Sequence, residues 1–544
     1  MPLSARLLEH ARSRPGRAAL VVGGERGGSI DYGGLVRRAA AVSAVLREVS
    51  GRRDGLLAVG AGNSPVFAEL FAGATAGRGR CAVLDPAWPR AQAEEVLRRL
   101  RPDLVAADEA GAIAEAARAL GVPLLAAPRG GGGRDPRLEA ALGADPEDEL
   151  VPGPDAAPFL VGFTSGTSGP PKAFHRTRGS WRASLRHGGE VFGAHPDDRT
   201  LVPGPLSHGL GLYALTEALY EGASCITLPG FDAAAARRAL AEHRATRLVV
   251  VPTMLRGLAD GALNDGALDG GRDDRAFTDV ECVVSSGARL DASTMRRAMS
   301  LFPRAHVREY YGASELSFVT VRHTPPGADP AAEPGAVGYP FPGVDVQIRG
   351  EDGAPLPPGR TGTVFVRGPL ASSGYLWGDD GEGEEDRGAE RRPPRAVEGG
   401  GSGFRTDGDW ATVGDLGRLS EDGELHLAGR SGGMVITGGH NVYPGEVEAA
   451  LVRLEGLDEA AVLGLPDDYL GQVVAAVVSG PGSEGLTRAR LRADCEALLP
   501  RYKVPRCLWA AREWPLTRSG KVSRTVLEEW IAHGDARLVP LPDA

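Results

Sequence analysis

The sequence predicts an α/β fold: a large N-terminal domain of doubly wound sheets with a β-rich subdomain, followed by a small α+β domain. The first observation is regular alternation between 159 and 310. Short β-branched runs at Ser224–Leu228, Arg247–Val251 and Val280–Val284 are separated by helical patterns at Leu210–Tyr220, Ala233–His243 and Ala292–Leu301. Strand and helix in strict alternation imply parallel strands with crossover helices. The second is a change after about 340 to short strands and turns, Val344–Ile348, Gly362–Val366 and Gly423–Leu427. The third is length, because 544 residues exceed one ordinary core. The expected division is 1–429 and 430–544.

The first 150 residues alternate Ala/Leu/Arg helical patterns with apolar runs such as Gly55–Val59 and Cys81–Leu84. The run Phe159–Phe163 reads as a buried strand ending in a sharp turn. Thr164, Ser165, Gly166, Thr167, Ser168, Gly169 and Lys172 then crowd into one loop. Glycine lets backbone N–H groups turn toward an anion, hydroxyls donate, and lysine supplies a point charge. The G-x-x-x-x-G-K-[ST] spacing is absent, so this is no Walker A loop. A Ser/Gly surface linker has similar composition, but open α/β sheets place ligand loops directly after a strand, which favours polyphosphate.

Val283–Ala288 is a strand running into the small residues Ser286, Gly287 and Ala288, where a flat ring can approach the backbone. A tight strand–helix turn reads equally well there. Glu309–Glu315 ends another strand. Tyr310 or Tyr311 beside Gly312 can stack a purine, the Ser314 hydroxyl can reach a phosphate, and Glu315 can hold Mg²⁺. A buried tyrosine pair explains the aromatics but not the serine and glutamate that follow.

Residues 378–403 are nearly free of apolar side chains and read as a mobile surface insertion. Asp415, after the Gly414 turn, can accept two hydroxyl hydrogen bonds as ribose aspartates do, although alone it is equally a turn residue. Gly429–Gly433 reads as an interdomain hinge. Beyond it come a helix near Pro444–Arg453, strands at Ala460–Gly464 and Val473–Val478, and helices at Arg488–Leu499 and Ser523–Ile531. Lys521 lies in the basic loop RSGK, which in isolation is a solvated loop.

Composition narrows the function classes. A net charge of −10 argues against nucleic-acid binding through bulk positive charge. The five cysteines are scattered, with no C-x-x-C pair, so a disulfide framework or zinc site is not expected and a reducing cytoplasm fits. No segment approaches transmembrane length, and the N-terminus has no apolar signal region.

Together and in this order, these segments resemble the adenylate-forming superfamily, most closely the AMP-forming acyl-CoA synthetases, over nearly the whole chain. FTSGTSGPPK is similar to the phosphate loop, with Ala173 where glycine is usual. PLSHGLG is similar to the segment whose histidine, here His208, gates the acyl pocket. SSGA and YYGASE resemble the adenine- and Mg²⁺-binding stretches, VGDLG carries the ribose aspartate, and GRSGGMVITGGHNVYPGEVE resembles the hinge and the loop after it.

The resemblance implies activation of a fatty or aromatic carboxylic acid by ATP, with pyrophosphate leaving, then transfer of the acyl group to coenzyme A. Catalytic roles fall on Lys521, Glu315, Thr167 and His208. Nucleotide contacts fall on Thr164–Gly169, Lys172, Ser286–Ala288, Tyr310–Gly312, Ser314, Asp415 and Arg430, the metal on Glu315, and the pantetheine tunnel on Gly438 and Gly439. The small domain is expected to be mobile and to deliver Lys521. Gly209 stands where relatives that load amino acids carry an aspartate, which disfavours an α-amino acid. Leu210, Leu212, Tyr213 and Phe318 suggest an apolar acyl pocket. A carrier protein or an amine as acceptor, and a non-catalytic nucleotide-binding homologue, are the alternatives. Gly432, with Gly433 beside it, stands where the hinge of relatives usually carries an aspartate or lysine.

Overall fold

The structure is a computed structural model that describes residues 3–24, 27–127, 135–164, 171–264, 276–288, 290, 292–328, 335–372, 374–377, 404–430, 435–437, 440–467, 470–483, 485–496, 498–499, 501–517 and 522–543. Outside the described residues lie Ser165–Pro170, Gly432 and Gly433 of the expected hinge, Gly438, Gly439, Lys521 and the insertion 378–403.

The alternation read from the sequence gives a nine-stranded sheet with the strand order 339–340, 317–324, 306–313, 282–286, 247–250, 199–202, 224–227, 18–22, 29–31. From 306–313 across to 18–22 the pairings are parallel. The strands 317–324, 339–340 and 29–31 close its ends in antiparallel fashion. A second sheet of seven strands runs 375–377, 172–177, 158–164, 80–83, 56–60, 104–107, 124–126. A β-rich sheet is built from 405–407, 410–412, 362–367, 345–349, 415–419 and 425–430. The small C-terminal α+β domain has its own sheet, centred on the strand 471–479.

Parallel strands share a carboxyl edge, and that edge positions the candidate site. His208 follows the strand Arg199–Val202, Gly287 follows Cys282–Ser286, and Ser314 and Glu315 follow His306–Ala313. The helix Gly209–Glu221 starts from an extended His208 and stops at Gly222, whose φ of 83° is a left-handed C-terminal cap. Among the described residues no helix is long and apolar enough to cross a membrane.

One buried cation fastens the sheet that carries the hydroxyl-rich loop. Arg178 is fully buried. It donates to the carbonyls of Ala157, Pro158 (2.7 Å), Thr75 and Gly79 (2.6 Å), tying the start of the strand Pro158–Thr164 to the turn before Arg80–Val83. Burial lowers its pKa to about 10, still far above neutrality, so the charge is retained. Arg178→Ala strands these carbonyls and is expected to destabilise the fold by at least about 3 kcal/mol. Arg178→Lys should recover only part, because one ammonium cannot reproduce the guanidinium fork. Denaturant unfolding measures both, and a loss below about 1 kcal/mol for the alanine variant would show that the carbonyls have other donors.

Candidate active site

The strand Pro158–Thr164 turns back on Lys172–Thr177 in antiparallel register, with Thr164 opposite Lys172. Both ends of the hydroxyl-rich segment are thereby pinned side by side. The Lys172 ammonium lies 5.4 Å from the centre of the Tyr375 ring. The Tyr375 hydroxyl donates to Glu315 Oε1 at 2.6 Å, and the Ser372 N–H donates to the Glu315 carbonyl. Glu315 is buried. Its neighbour Ser314 accepts a hydrogen bond at its carbonyl from Arg176.

Arg176 and Tyr375 are residues that sequence reasoning missed. Arg176 sits in the mostly polar strand KAFHRT, and nothing in its spacing tells that it is buried. Burial lowers its pKa to about 10, with Tyr213 and Glu315 pulling the other way. Its Nε and Nη2 have no hydrogen-bond partner among the described residues. Tyr375 gave no signal, because its strand pairs with Ala173 and Phe174 about 200 residues away in sequence.

Consecutive residues of a strand face opposite ways, and this separates the two tyrosines. The Tyr311 hydroxyl donates to Asp415 Oδ2 at 2.6 Å, and Asp415 is buried at the start of the strand Asp415–Leu419. The Tyr310 ring packs edge-on against Phe318 at 4.7 Å and against Phe192, so it walls the pocket beneath. Burial raises the Tyr310 phenol to about 12. The Ser286 hydroxyl donates to the Tyr310 carbonyl, and Gly287 takes a left-handed φ of 93°. Gly312 is required by close approach, since a Cβ there would lie 2.0 Å from the Ser317 carbonyl oxygen. The Arg430 backbone pairs with Asp415 across the sheet.

His208 Nε2 lies 3.6 Å from Asp85 Oδ2, a partner that sequence reasoning also missed. The loop before His208 is held by Asn63, which accepts from the Leu206 N–H and donates to Gly204 and Leu228 carbonyls. Leu212, Tyr213 and Phe318 are buried, as an apolar pocket requires. A Cβ built on Gly209 would stand 4.0 Å from Ser314 Oγ, which places the head of this helix beside the Glu315 turn.

A continuous set of contacts therefore runs from Lys172 through Tyr375 to Glu315, and from the same strand end through Tyr311 to Asp415. Of the expected site residues, Thr164, Lys172, His208, Ser286, Gly287, Ala288, Tyr310, Tyr311, Gly312, Ser314, Glu315 and Asp415 belong to this region. For Ser165–Gly169, Gly438, Gly439 and Lys521 the expectation lies outside the described residues.

Residues 7–376 match the AMP-binding enzyme family and residues 446–521 match the AMP-binding enzyme C-terminal domain. The chain is 32% identical over 474 residues to an uncharacterized acyl–CoA ligase, YhfT, of Bacillus subtilis, covering 86% of each chain. It is 31% identical over 397 residues to an indoleacetate–CoA ligase of Aromatoleum aromaticum, covering 73% of this chain and 71% of that one. Among solved structures, ATP-bound MatB from Rhodopseudomonas palustris superposes with a TM-score of 0.79 at 26% identity, covering 97% of this chain and 98% of the other. The amide bond synthetase McbA from Marinactinospora thermotolerans also gives 0.79, at 25% identity, covering 97% and 99%.

The cysteines stand apart from this site chemistry. Cys81, Cys225, Cys282 and Cys495 are buried, and burial raises all four thiols, Cys225 to about 12 and Cys495 to about 11. Thiolates are the reactive form, so these four should resist a maleimide at neutral pH in the native state. Cys507, only partly buried, should account for the fast phase, which Cys507→Ser removes. Rapid labelling that survives this substitution would contradict the burial.

Proposed function

The chain belongs to the AMP-binding enzymes and is an AMP-forming acid–thiol ligase, and on that premise we propose that it activates a compact aromatic acid with ATP and loads it onto coenzyme A. The observation that carries the reading is the linked set Lys172–Tyr375–Glu315 and Tyr311–Asp415 on the carboxyl edge of the parallel strands. The named CoA ligases among its relatives support coenzyme A as acceptor over a carrier protein or an amine. The aromatic cluster of Phe192, Tyr213, Tyr310 and Phe318 fills the inner end of the acyl pocket and favours a ring over a long chain.

In this reading Thr164, Ser165, Thr167, Ser168 and Lys172 hold the β- and γ-phosphates. Asp415 grips the ribose hydroxyls, with Tyr311 orienting its carboxylate. Ser286, Gly287 and Ala288 leave a flat approach for the adenine. Glu315 suits Mg²⁺: it is a buried hard-oxygen donor, and Mg²⁺ is usually held by one or two carboxylates plus phosphate oxygens. Among the described residues no group of three or more acidic, histidine or cysteine side chains would build an all-protein cage. When bound, the ion neutralises phosphate charge.

The substrate carboxylate attacks the α-phosphorus in line, and pyrophosphate leaves. Lys521, carried by the domain from 430 onward, bridges carboxylate and α-phosphate oxygens as charge moves between them. His208, steadied by Asp85, gates the acyl pocket, and Gly438 and Gly439 line the thiol's path in the second step. A cytoplasmic site of action agrees with the free cysteines.

The reading is tested by acid-dependent exchange of labelled pyrophosphate into ATP, followed by coenzyme A addition and detection of thioester. Exchange without thioester formation would remove coenzyme A as acceptor. Lys521→Ala should lower exchange ~10²–10³-fold with ATP binding retained, as loss of one preorganised charge does elsewhere. Normal exchange in that variant removes Lys521 from the mechanism. Glu315→Gln should displace the Mg²⁺ dependence of exchange to higher concentration, because an amide oxygen is the weaker ligand. Overlaying titrations would reassign the metal.

A further inference from the structure

The inner end of the acyl pocket is not purely apolar. Leu210, Tyr213, Ala214 and Glu217 follow one another at helical spacing down one face of the helix Gly209–Glu221. Together with Phe192, Arg247, Tyr310 and Phe318 they line a cavity of about 10 Å³, room for roughly one water. At its floor Arg247 Nη2 donates to Glu217 Oε2 at 2.6 Å, and Arg247 Nε donates to the Phe192 carbonyl. Both side chains are at least 97% buried.

Two polar atoms of this floor have no hydrogen-bond partner among the described residues: Glu217 Oε1 and Arg247 Nη1. The Tyr213 hydroxyl is within hydrogen-bond reach of Ser184, whose own hydroxyl donates to the Trp181 carbonyl, and the Cys282 sulfur lies beside Arg247. A buried polar atom left unpaired is costly, and here two belong to side chains that line one cavity. A second feature marks the same place from the opposite wall. A Cβ built on Gly188 would lie 2.6 Å from Glu217 Oε1 and 3.6 Å from the Tyr213 hydroxyl. Glycine at 188 is thus required by the close approach of the Glu217 carboxylate to the helix Arg178–Phe192.

The chemistry of the cavity selects its occupant. Glu217 Oε1 accepts only, Arg247 Nη1 donates only, and Tyr213, kept protonated by burial and by the charge of Glu217, does both. A hydroxyl satisfies an acceptor and a donor at once; a methyl satisfies neither. The pair is neutral overall, so a second carboxylate gains no net attraction. The helix also gives the length: from Gly209 the face descends about 6 Å to Tyr213 and about 12 Å to Glu217, at 1.5 Å per residue. That spans an aromatic ring with a tether of none to a few atoms.

We propose that Tyr213, Glu217 and Arg247 read a hydroxyl at the far end of the acyl group, making the substrate a phenolic aryl acid. The inference rests on the acid-activation reading above and adds the substrate class. The phenol hydroxyl donates to Glu217 Oε1 and accepts from Arg247 or Tyr213, replacing the water for which the cavity has room. A site built to hydrogen-bond a hydroxyl rejects the analogue lacking it, because its own buried groups are then left unpaired.

The test compares kcat/KM for acid-dependent pyrophosphate exchange between 4-hydroxybenzoate and 4-methylbenzoate, and between 3-(4-hydroxyphenyl)propanoate and its 4-methyl analogue. In at least one pair the hydroxylated acid should be preferred at least about tenfold. Tyr213→Phe, which removes one oxygen from a packed ring, should reduce that ratio about tenfold. Gly188→Ala, which forces a methyl against Glu217 Oε1 and displaces that carboxylate, should reduce it as well and answers the question if the first variant does not fold. Strong exchange with methyl and hydroxyl partners used equally would overturn this inference and leave acid activation standing. An unchanged ratio in folded Tyr213→Phe and Gly188→Ala proteins would overturn the assignment of the cavity. No exchange with any aryl or alkyl acid would instead defeat the acid-activation reading, and the inference with it.

Discussion

The hydrogen bond from the Tyr375 hydroxyl to Glu315 joins the seven-stranded sheet to the nine-stranded one. Tyr375 belongs to the edge strand of the seven-stranded sheet, and Glu315 to the turn between two strands of the nine-stranded one. Arg176 crosses the same seam to the Ser314 carbonyl. A buried carboxylate is costly without partners, so the seam has to supply them, and in doing so it fixes the turn against the hairpin that holds Lys172. In the proposed reading, this seam brings the phosphate-binding Lys172 and the metal-binding Glu315 from different sheets toward one nucleotide. Preorganisation of that kind is what catalysis by positioning and charge neutralisation demands.

Much of the fold was legible because it is local. The crossover helices at 209–221, 233–242 and 292–301 follow the apolar periodicity within a residue or two, and glycine marks the end of the first. That the motif segments follow strands was legible because open sheets put ligand loops at strand ends. What could not be read is long-range. Asp85 meets His208, Asn63 holds Leu206, and Tyr375 meets Glu315 through tertiary folding, and none of these pairings leaves a trace in spacing. The tyrosine pair is intermediate. Strand alternation dictates that Tyr310 and Tyr311 diverge, but only the register of the strand Ser317–Thr324 decides which of them meets Phe318.

The pocket shows how an apolar reading of sequence can be right in outline and incomplete in chemistry. Leu212, Tyr213 and Phe318 are buried among aromatic neighbours, as expected. Glu217 and Arg247 lie 30 residues apart and read separately as a helix-surface carboxylate and a strand-leading cation. Burial turns them into a pair whose mutual attraction fixes the floor of the pocket. Hydrophobic replacements of similar volume would match such a pair for stability, so stability alone gives no reason for its presence. The unpaired atoms of the pair supply a functional one.

The contacts between the two domains differ in kind from those inside them. Among the described residues, the apolar clusters of the C-terminal domain draw only on residues beyond 430, and the main cluster of the large domain ends at Leu425. Across the boundary the strand Leu425–Arg430 packs on the helix Pro444–Leu451, and ion pairs join Arg256 to Glu459 at 2.5 Å and Arg297 to Asp458 at 3.5 Å, all partly open to solvent. Such pairs contribute on the order of 1 kcal/mol or less and exchange readily with water. Interfaces of this polar kind leave relative domain motion as the default. In the proposed mechanism, a domain with apolar clusters of its own can deliver Lys521 for one half-reaction and withdraw it for the next without disturbing either core.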